Sequence, residues 1–135
     1  MIVLDTNVVS ELMKPSPDVA VGDWLLGLGG IPLTTTAVTV AEIEFGLQRL
    51  PEGRRKTELT ARFEALADAL TVLPLDEPAA REAGRLRALR EASGRAAQTS
   101  DMMIAGIAAA AGAALATRNI RDFEGVAVEL INPWR

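Results

Sequence analysis

The chain has 135 residues, 49% hydrophobic and 24% charged, which is enough for one globular domain, predicted over residues 1–135, and too apolar for a disordered chain. It contains no cysteine and no histidine, which excludes disulfide scaffolds, thiolate or imidazole metal sites and mechanisms built on a catalytic cysteine or histidine. Its formal net charge of −4 does not by itself predict a nucleic-acid-binding protein.

The first half of the chain alternates short apolar runs with helical patterns. Residues 2–4 form an apolar run that predicts a buried parallel strand, and Asp5 follows it directly. Further elements are predicted by helical spacing, by β-branched runs and by Pro and Gly punctuation. They are helices over 7–14 and 19–28, a strand over 31–38, and a helix that Thr39 opens and that runs to about residue 50.

The second half continues the alternation. Apolar spacing predicts an amphipathic helix over 58–70, and Asp76 is the expected N-cap of a helix from 77 to about 92 that Gly94 ends. The other predicted elements are strands over 71–73, 114–117 and 128–131, and a helix over 101–111. The alternation indicates an α/β fold with a central parallel sheet of four to five short strands and helices on both faces.

No segment has the features of a membrane span or a targeting signal. The weakly polar run over 102–116 is shorter than the ~20 residues that a helix needs to cross a bilayer. The first residues reach a charge at Asp5 without a basic segment before it. The expectation is a cytoplasmic protein without membrane contact.

Four acidic residues are predicted to share one edge of the sheet. Asp5 ends the first strand, Glu42 is placed in the first turn of the helix after the second strand, Asp101 begins the helix before the fourth strand, and Asp122 follows that strand. In right-handed βαβ units the helices begin at the edge where the strands end. Open α/β sheets place their ligand sites at that edge.

Each acid also has a structural interpretation. Asp5 is a possible N-cap, and Thr39 with Glu42 fits a capping box. Asp101 complements a helix dipole, and Asp122 is explained equally well by a turn or by an ion pair with a neighbouring arginine. Taken singly, none of these acids indicates a function, and for Glu42 and Asp101 the structural interpretation is the stronger one. Their convergence on one edge favours a shared site.

Converging carboxylates raise each other's pKa or require a cation. Two like charges ~4 Å apart repel by roughly 1 kcal/mol in water and roughly 4 kcal/mol at an effective dielectric of 20. An all-oxygen site favours Mg²⁺ or Mn²⁺, and such sites suit phosphoryl chemistry. Without these four acids, the remaining 14 acidic residues balance the 14 basic ones, so the net charge does not argue strongly against a nucleic-acid substrate.

Four segments with this order and spacing resemble PIN-domain ribonucleases of the VapC/FitB type, the toxin halves of bacterial toxin–antitoxin pairs. They are residues 1–11, 39–46, 101–105 and 116–123, and the closing Asn132-Pro133-Trp134 is similar to the FitB subgroup. Some members carry an acid at the position of Asn119, so this pocket has one ligand fewer, which weighs against a strict two-metal mechanism.

The resemblance implies a Mg²⁺- or Mn²⁺-dependent endoribonuclease that cleaves RNA. It also implies a homodimer that a small DNA-binding antitoxin holds inactive. The toxin would contact operator DNA only through that antitoxin. Thr6 and Asn119 would position water or neighbouring groups. The residues implied as catalytic groups and metal ligands are Asp5, Glu42, Asp101 and Asp122.

Two alternatives stay open beside this one. A catalytically weak PIN-like binding module would act mainly through an antitoxin–operator DNA complex. An aspartyl phosphatase would need a second aspartate where Asn7 stands, which counts against that activity.

Two basic clusters have a structural and a functional interpretation. Solvated helix surfaces are favoured over RNA contacts for both of them. The clusters are Arg49, Arg54, Arg55 and Lys56, and Arg81, Arg85, Arg87, Arg90 and Arg95.

Overall fold

A five-stranded parallel sheet with strand order β3-β2-β1-β4-β5 forms the centre of the computed structural model, which describes residues 1–135. Every neighbouring pair of strands is parallel. A 3₁₀ turn, Ile120–Phe123, precedes the last strand. The elements are β1 (Ile2–Leu4), α1 (Thr6–Leu12), α2 (Val19–Gly27), β2 (Leu33–Thr36), α3 (Ala37–Arg49), α4 (Arg54–Ala69), β3 (Thr71–Leu73), α5 (Glu77–Ala92), α6 (Thr99–Ala110), β4 (Ala114–Ala116) and β5 (Leu130–Ile131).

Helices cover both faces of the sheet, as predicted. Successive side chains of a strand point to opposite faces, and β1 is buried on both. Ile2 and Leu4 pack in a core with residues of α1, α3 and α4, whereas Val3 packs in a second core with residues of α5 and α6. Each fully buried apolar side chain of this size contributes about 1.5–3 kcal/mol, so the central position of β1 follows from its apolar sequence.

The two helices on the second face pack unusually closely. A Cβ added at Gly106 of α6 would lie 2.6 Å from the Ala79 carbonyl oxygen and 2.6 Å from the Ala83 backbone nitrogen of α5. The small residues of α6 therefore bring it against α5 as well as against the sheet.

The start of α3 differs from the prediction. The strand predicted over 31–38 is shorter, and the helix begins at Ala37, with Thr36 as its N-cap. The Thr36 hydroxyl accepts a hydrogen bond from the Thr39 backbone nitrogen at 2.9 Å. The capping box of Thr39 with Glu42 is therefore wrong, because a different threonine in the same run already caps the helix, and Glu42 lies in its second turn.

The other boundaries differ by a few residues. Helix α4 begins at Arg54, earlier than predicted, because its first turn is polar and carries no apolar periodicity. The last strand is reduced to Leu130–Ile131. The Asp76 cap and the left-handed Gly94 at the end of α5 are confirmed. None of the helices combines the length and apolar character needed to cross a membrane.

Candidate active site

Asp5 is the most constrained acid of the site. It follows β1, is 4% exposed, and is the N-cap of α1, as the structural interpretation predicted. Its carboxylate accepts hydrogen bonds from the Thr6 backbone nitrogen at 2.8 Å and from the Thr117 hydroxyl at 2.7 Å. Burial raises the pKa of Asp5, and the Thr117 hydrogen bond opposes that shift. The N-cap role uses only Asp5 Oδ1, which accepts from the Thr6 backbone, whereas Oδ2 accepts from Thr117. The cap is therefore compatible with a functional role of the carboxylate.

Thr6 links Glu42 to Asp5, because its backbone nitrogen donates to Asp5 and its hydroxyl donates to Glu42. The Thr6 hydroxyl donates to Glu42 Oε1 at 2.7 Å and also lies 3.3 Å from Thr39 Oγ1. Glu42 is exposed and no longer needed as a helix cap. The negative charge of Glu42 contributes to the raised pKa of Asp5, so the two carboxylates are electrostatically coupled.

Asp101 lies in the first turn of α6 and is half-buried. Its pKa is raised to about 6, mainly by burial and then by the negative charges of Asp5, Asp122 and Glu42 in that order, while Arg90 opposes the shift. The N-cap residue of α6 makes no side-chain cap. The structure therefore brings the four predicted acids within electrostatic range of one another.

Asp122 is carried by the 3₁₀ turn after β4. The turn is held by a hydrogen bond from the Asp122 backbone nitrogen to the Asn119 carbonyl at 3.0 Å and by the buried side chain of Phe123. Asp122 is exposed and forms no salt bridge, so the ion pair considered from the sequence is wrong. Asn119 lines the same cavity as Asp122.

Thr117 and Asn7 belong to the site but were not predicted. Thr117 is fully buried and joins β4 to β1 through its hydrogen bond to Asp5. Asn7 Nδ2 lies 3.3 Å from Asp5 Oδ2, and Asn7 Oδ1 accepts from the Arg118 backbone nitrogen at 3.2 Å. The sequence offers only the position of Thr117 directly after a strand, which becomes informative once β4 is known to lie beside β1.

The donor set fits a hard divalent cation. Every candidate ligand is an oxygen, which Mg²⁺ and Mn²⁺ prefer. No three of the carboxylates, however, lie close enough together to form a ready-made metal site. Occupancy by one ion would therefore require the exposed Glu42 and Asp122 side chains to move toward the buried Asp5.

The two basic clusters mostly form ion pairs on helix surfaces, which supports their interpretation as solvated faces. Arg49, Arg55, Arg90 and Arg95 form no salt bridge. Of these, Arg90 is buried and donates from Nε to the Ala96 carbonyl at 2.8 Å and from Nη1 to the Glu124 carbonyl. It therefore ties the loop before α6 to the segment after the 3₁₀ turn. The pairs are Arg54–Glu58, Lys56–Glu52, Arg81–Glu77, Arg85–Glu82 and Arg87–Glu91.

Comparison with known proteins gives a consistent picture. The family model described as "PIN domain" matches residues 2–129. The chain is 43% identical to "VapC ribonuclease Y4jK" of Sinorhizobium fredii, covering 99% of this chain and 98% of that protein. It is 35% identical to "Toxin FitB" of Neisseria gonorrhoeae, with 99% of both chains covered.

Solved structures resemble the fold over its whole length. A structure described as FitAB bound to an IR36 DNA fragment has a TM-score of 0.87 at 34% identity, covering 100% of this chain and 96% of that chain. A Mycobacterium tuberculosis member of the VapBC family of toxin–antitoxin systems has a TM-score of 0.72 at 32% identity, covering 96% of each chain.

Proposed function

The chain belongs to the PIN-domain family, and from that premise we propose that it is a metal-dependent endoribonuclease and the toxin of a toxin–antitoxin pair. The observation that carries the proposal is the set of four acids at one edge of the sheet. Burial and then the charges of Asp5, Asp122 and Glu42 raise the pKa of Asp101, and none of the four carboxylates forms a salt bridge. The ribonuclease names of its relatives agree with this chemistry.

A bound Mg²⁺ or Mn²⁺ would activate a water molecule and stabilise the leaving oxygen of a phosphodiester. Asp5 would hold the ion from a fixed position, because Thr117 and the Thr6 backbone restrain its carboxylate. Asp101 would complete the buried part of the site. The exposed Glu42 and Asp122 would supply the adjustable ligands.

Thr6 and Asn119 would orient groups around the reacting phosphate. The Thr6 hydroxyl donates to Glu42 and so selects the orientation of that carboxylate. Asn119 presents an amide near Asp122, where an amide side chain can orient a water molecule. Asn119 is neutral, so the site has four carboxylates, which favours one tightly held ion over two.

An antitoxin is the partner that the proposal requires. A groove of about 280 Å³ runs beside Glu42 and is lined by residues of α1, α3 and α4. Phe45 on α3 is 63% exposed, with Arg49 over its ring. An amphipathic segment of a small DNA-binding protein would cover such a surface, and operator DNA would be reached through that protein alone. A homodimer is also proposed, and light scattering of the purified chain tests it.

Cleavage of total cellular RNA by purified, antitoxin-free protein tests the activity. The reactions contain Mg²⁺, Mn²⁺ or EDTA, and Asp5→Asn and Asp101→Asn are compared with Asp76→Asn, which alters an N-cap acid outside the site. Discrete products that need the metal, vanish in the two site variants and persist in Asp76→Asn are expected.

The competing hypothesis is the catalytically weak binding module. Its support is that no three acids converge closely enough to hold an ion. Metal binding without cleavage of any RNA would favour it over the nuclease. Cleavage that survives both site substitutions would mean that Asp5 and Asp101 have only structural roles and that the activity comes from a contaminant.

A further inference from the structure

A cavity lined by three arginines and two acids adjoins the acidic site at Asp122. It is open, has a volume of about 440 Å³, and all but one of its lining residues are polar or charged. Asp122 itself lines the cavity, so the cavity adjoins the proposed catalytic centre at that residue. Its basic and amide side chains are Arg118, Arg121 and Arg135 with Asn119 and Asn132.

These three arginines differ from the basic residues of the two predicted clusters. Most of those form ion pairs on helix surfaces, whereas none of the cavity arginines forms a salt bridge. Arg118 instead lies over the indole of Trp134, 5.0 Å from the ring centroid. An unpaired guanidinium keeps its donors available for a ligand, and its planar fork matches phosphate.

We infer that this cavity binds the phosphodiester backbone of the RNA on one side of the bond that is cut. The inference rests on the proposed function and names how that site holds its substrate. Four carboxylates in the absence of metal repel a phosphate chain, so a substrate needs positive charge close to them. The cavity supplies it directly beside Asp122, and the Arg118–Trp134 pair offers a flat surface on which a base can stack.

The chemistry of the lining favours nucleic acid over a peptide. Ile120 is the one apolar residue among the eight that line the cavity, so an amphipathic segment would bury little apolar area there. Protein–nucleic acid interfaces are polar, wet and rich in arginine. Two acids limit the extent of the positive charge. Glu124 also lines the cavity, and the charge of Arg118 contributes, after Lys14, to the lowered pKa of Glu11. The positive potential is therefore confined to the immediate surroundings of the arginines.

Binding of labelled bulk transfer RNA tests the inference. Fluorescence anisotropy is measured in EDTA between about 50 and 200 mM salt, in an Asp5→Asn background that prevents cleavage. Arg118→Gln with Arg121→Gln is compared with Arg62→Gln and Arg81→Gln, two exposed arginines of α4 and α5 that lie outside the cavity and give the same change in net charge. Arg121→Gln alone is included because Arg118 also packs on Trp134.

The cavity variant is expected to bind about tenfold more weakly, with the slope of log K against log salt reduced by about 1.4, or about 0.7 for each phosphate that the protein no longer neutralises. The control pair and wild type should bind alike, and in cleavage assays of the otherwise wild-type protein the cavity variant should raise KM more than it lowers kcat.

Equal RNA affinity of the cavity variant and the control pair would overturn the inference, even if the protein cleaves RNA. The inference would also be overturned if the cavity variant bound RNA as tightly as the control pair but no longer bound a co-expressed antitoxin. The arginines would then belong to the antitoxin interface. If the wild-type protein cleaves no RNA but the cavity variant binds RNA more weakly than the control pair, the proposed function is refuted, and only the RNA-binding role of the cavity is retained.

Discussion

Asp101→Asn is expected to stabilise the metal-free protein at pH 8. In the folded state Asp101 is half-buried and surrounded by the charges of Asp5, Asp122 and Glu42, and its pKa rises from 3.8 to about 6. Asparagine keeps the shape of the side chain and removes the charge. The same substitution would destabilise the protein if Asp101 served only to complement the dipole of α6.

The size of the effect follows from the pKa shift. The rise of the Asp101 pKa from 3.8 to about 6 corresponds to about 3 kcal/mol, and solvent screening of a half-exposed group reduces this to about 1 kcal/mol. The folded protein holds the proton more tightly than the unfolded chain. This contribution to stability is therefore fully present below about pH 4 and is lost as the pH rises through about 6.

Thermal unfolding in EDTA at pH 8 and pH 5 measures it. Asp101→Asn should raise Tm by about 3–5 °C at pH 8, and by less at pH 5, where the wild type is itself largely protonated. The control is Glu77→Gln, a first-turn acid of α5 outside the site, which should lose up to about 1 kcal/mol. A loss of several degrees in Asp101→Asn, equal to that of Glu77→Gln, would refute the argument from repulsion.

Three further predictions follow from the same contacts. Saturating Mg²⁺ or Mn²⁺ should raise the Tm of the wild type, because metal at 100 times Kd adds about 2.7 kcal/mol to the free energy of unfolding. The Tm of Asp5→Asn should rise less. No change in the wild-type Tm at millimolar metal would contradict a metal site in the free protein. Thr117→Val should weaken metal binding by about 10- to 100-fold, measured by titration calorimetry, because Asp5 loses its 2.7 Å donor, whereas Thr117→Ser should keep it. Gly106→Ala should destabilise the fold by about 1–3 kcal/mol in urea titrations because its Cβ would overlap the α5 backbone, whereas Gly84→Ala, with open space around it, should not; equal stability of the two would show that α5 and α6 can separate at no cost.

The sequence alone determined the order and type of the elements, and it determined which residues lie at the edge where the strands end. Apolar runs such as β1 and the Asp76 cap of α5 are local signals, and each was confirmed at its predicted place. The strands end and the helices begin at a common edge in any right-handed βαβ chain. For that reason the proximity of Asp5, Asp101 and Asp122 could be predicted from the sequence, as could the coupling among their charges.

Only the tertiary structure decided how those acids are supported and which charges are free. Thr117 reaches Asp5 because β4 pairs with β1, and these two residues are separated by more than a hundred positions in the sequence. The choice of Thr36 over Thr39 as the cap of α3 depended on where β2 ends. Five of the nine basic residues in the two predicted clusters form ion pairs on helix surfaces, whereas Arg118 and Arg121 line the cavity beside Asp122. These outcomes depend on strand order and on packing between distant segments, which periodicity and capping signals do not encode.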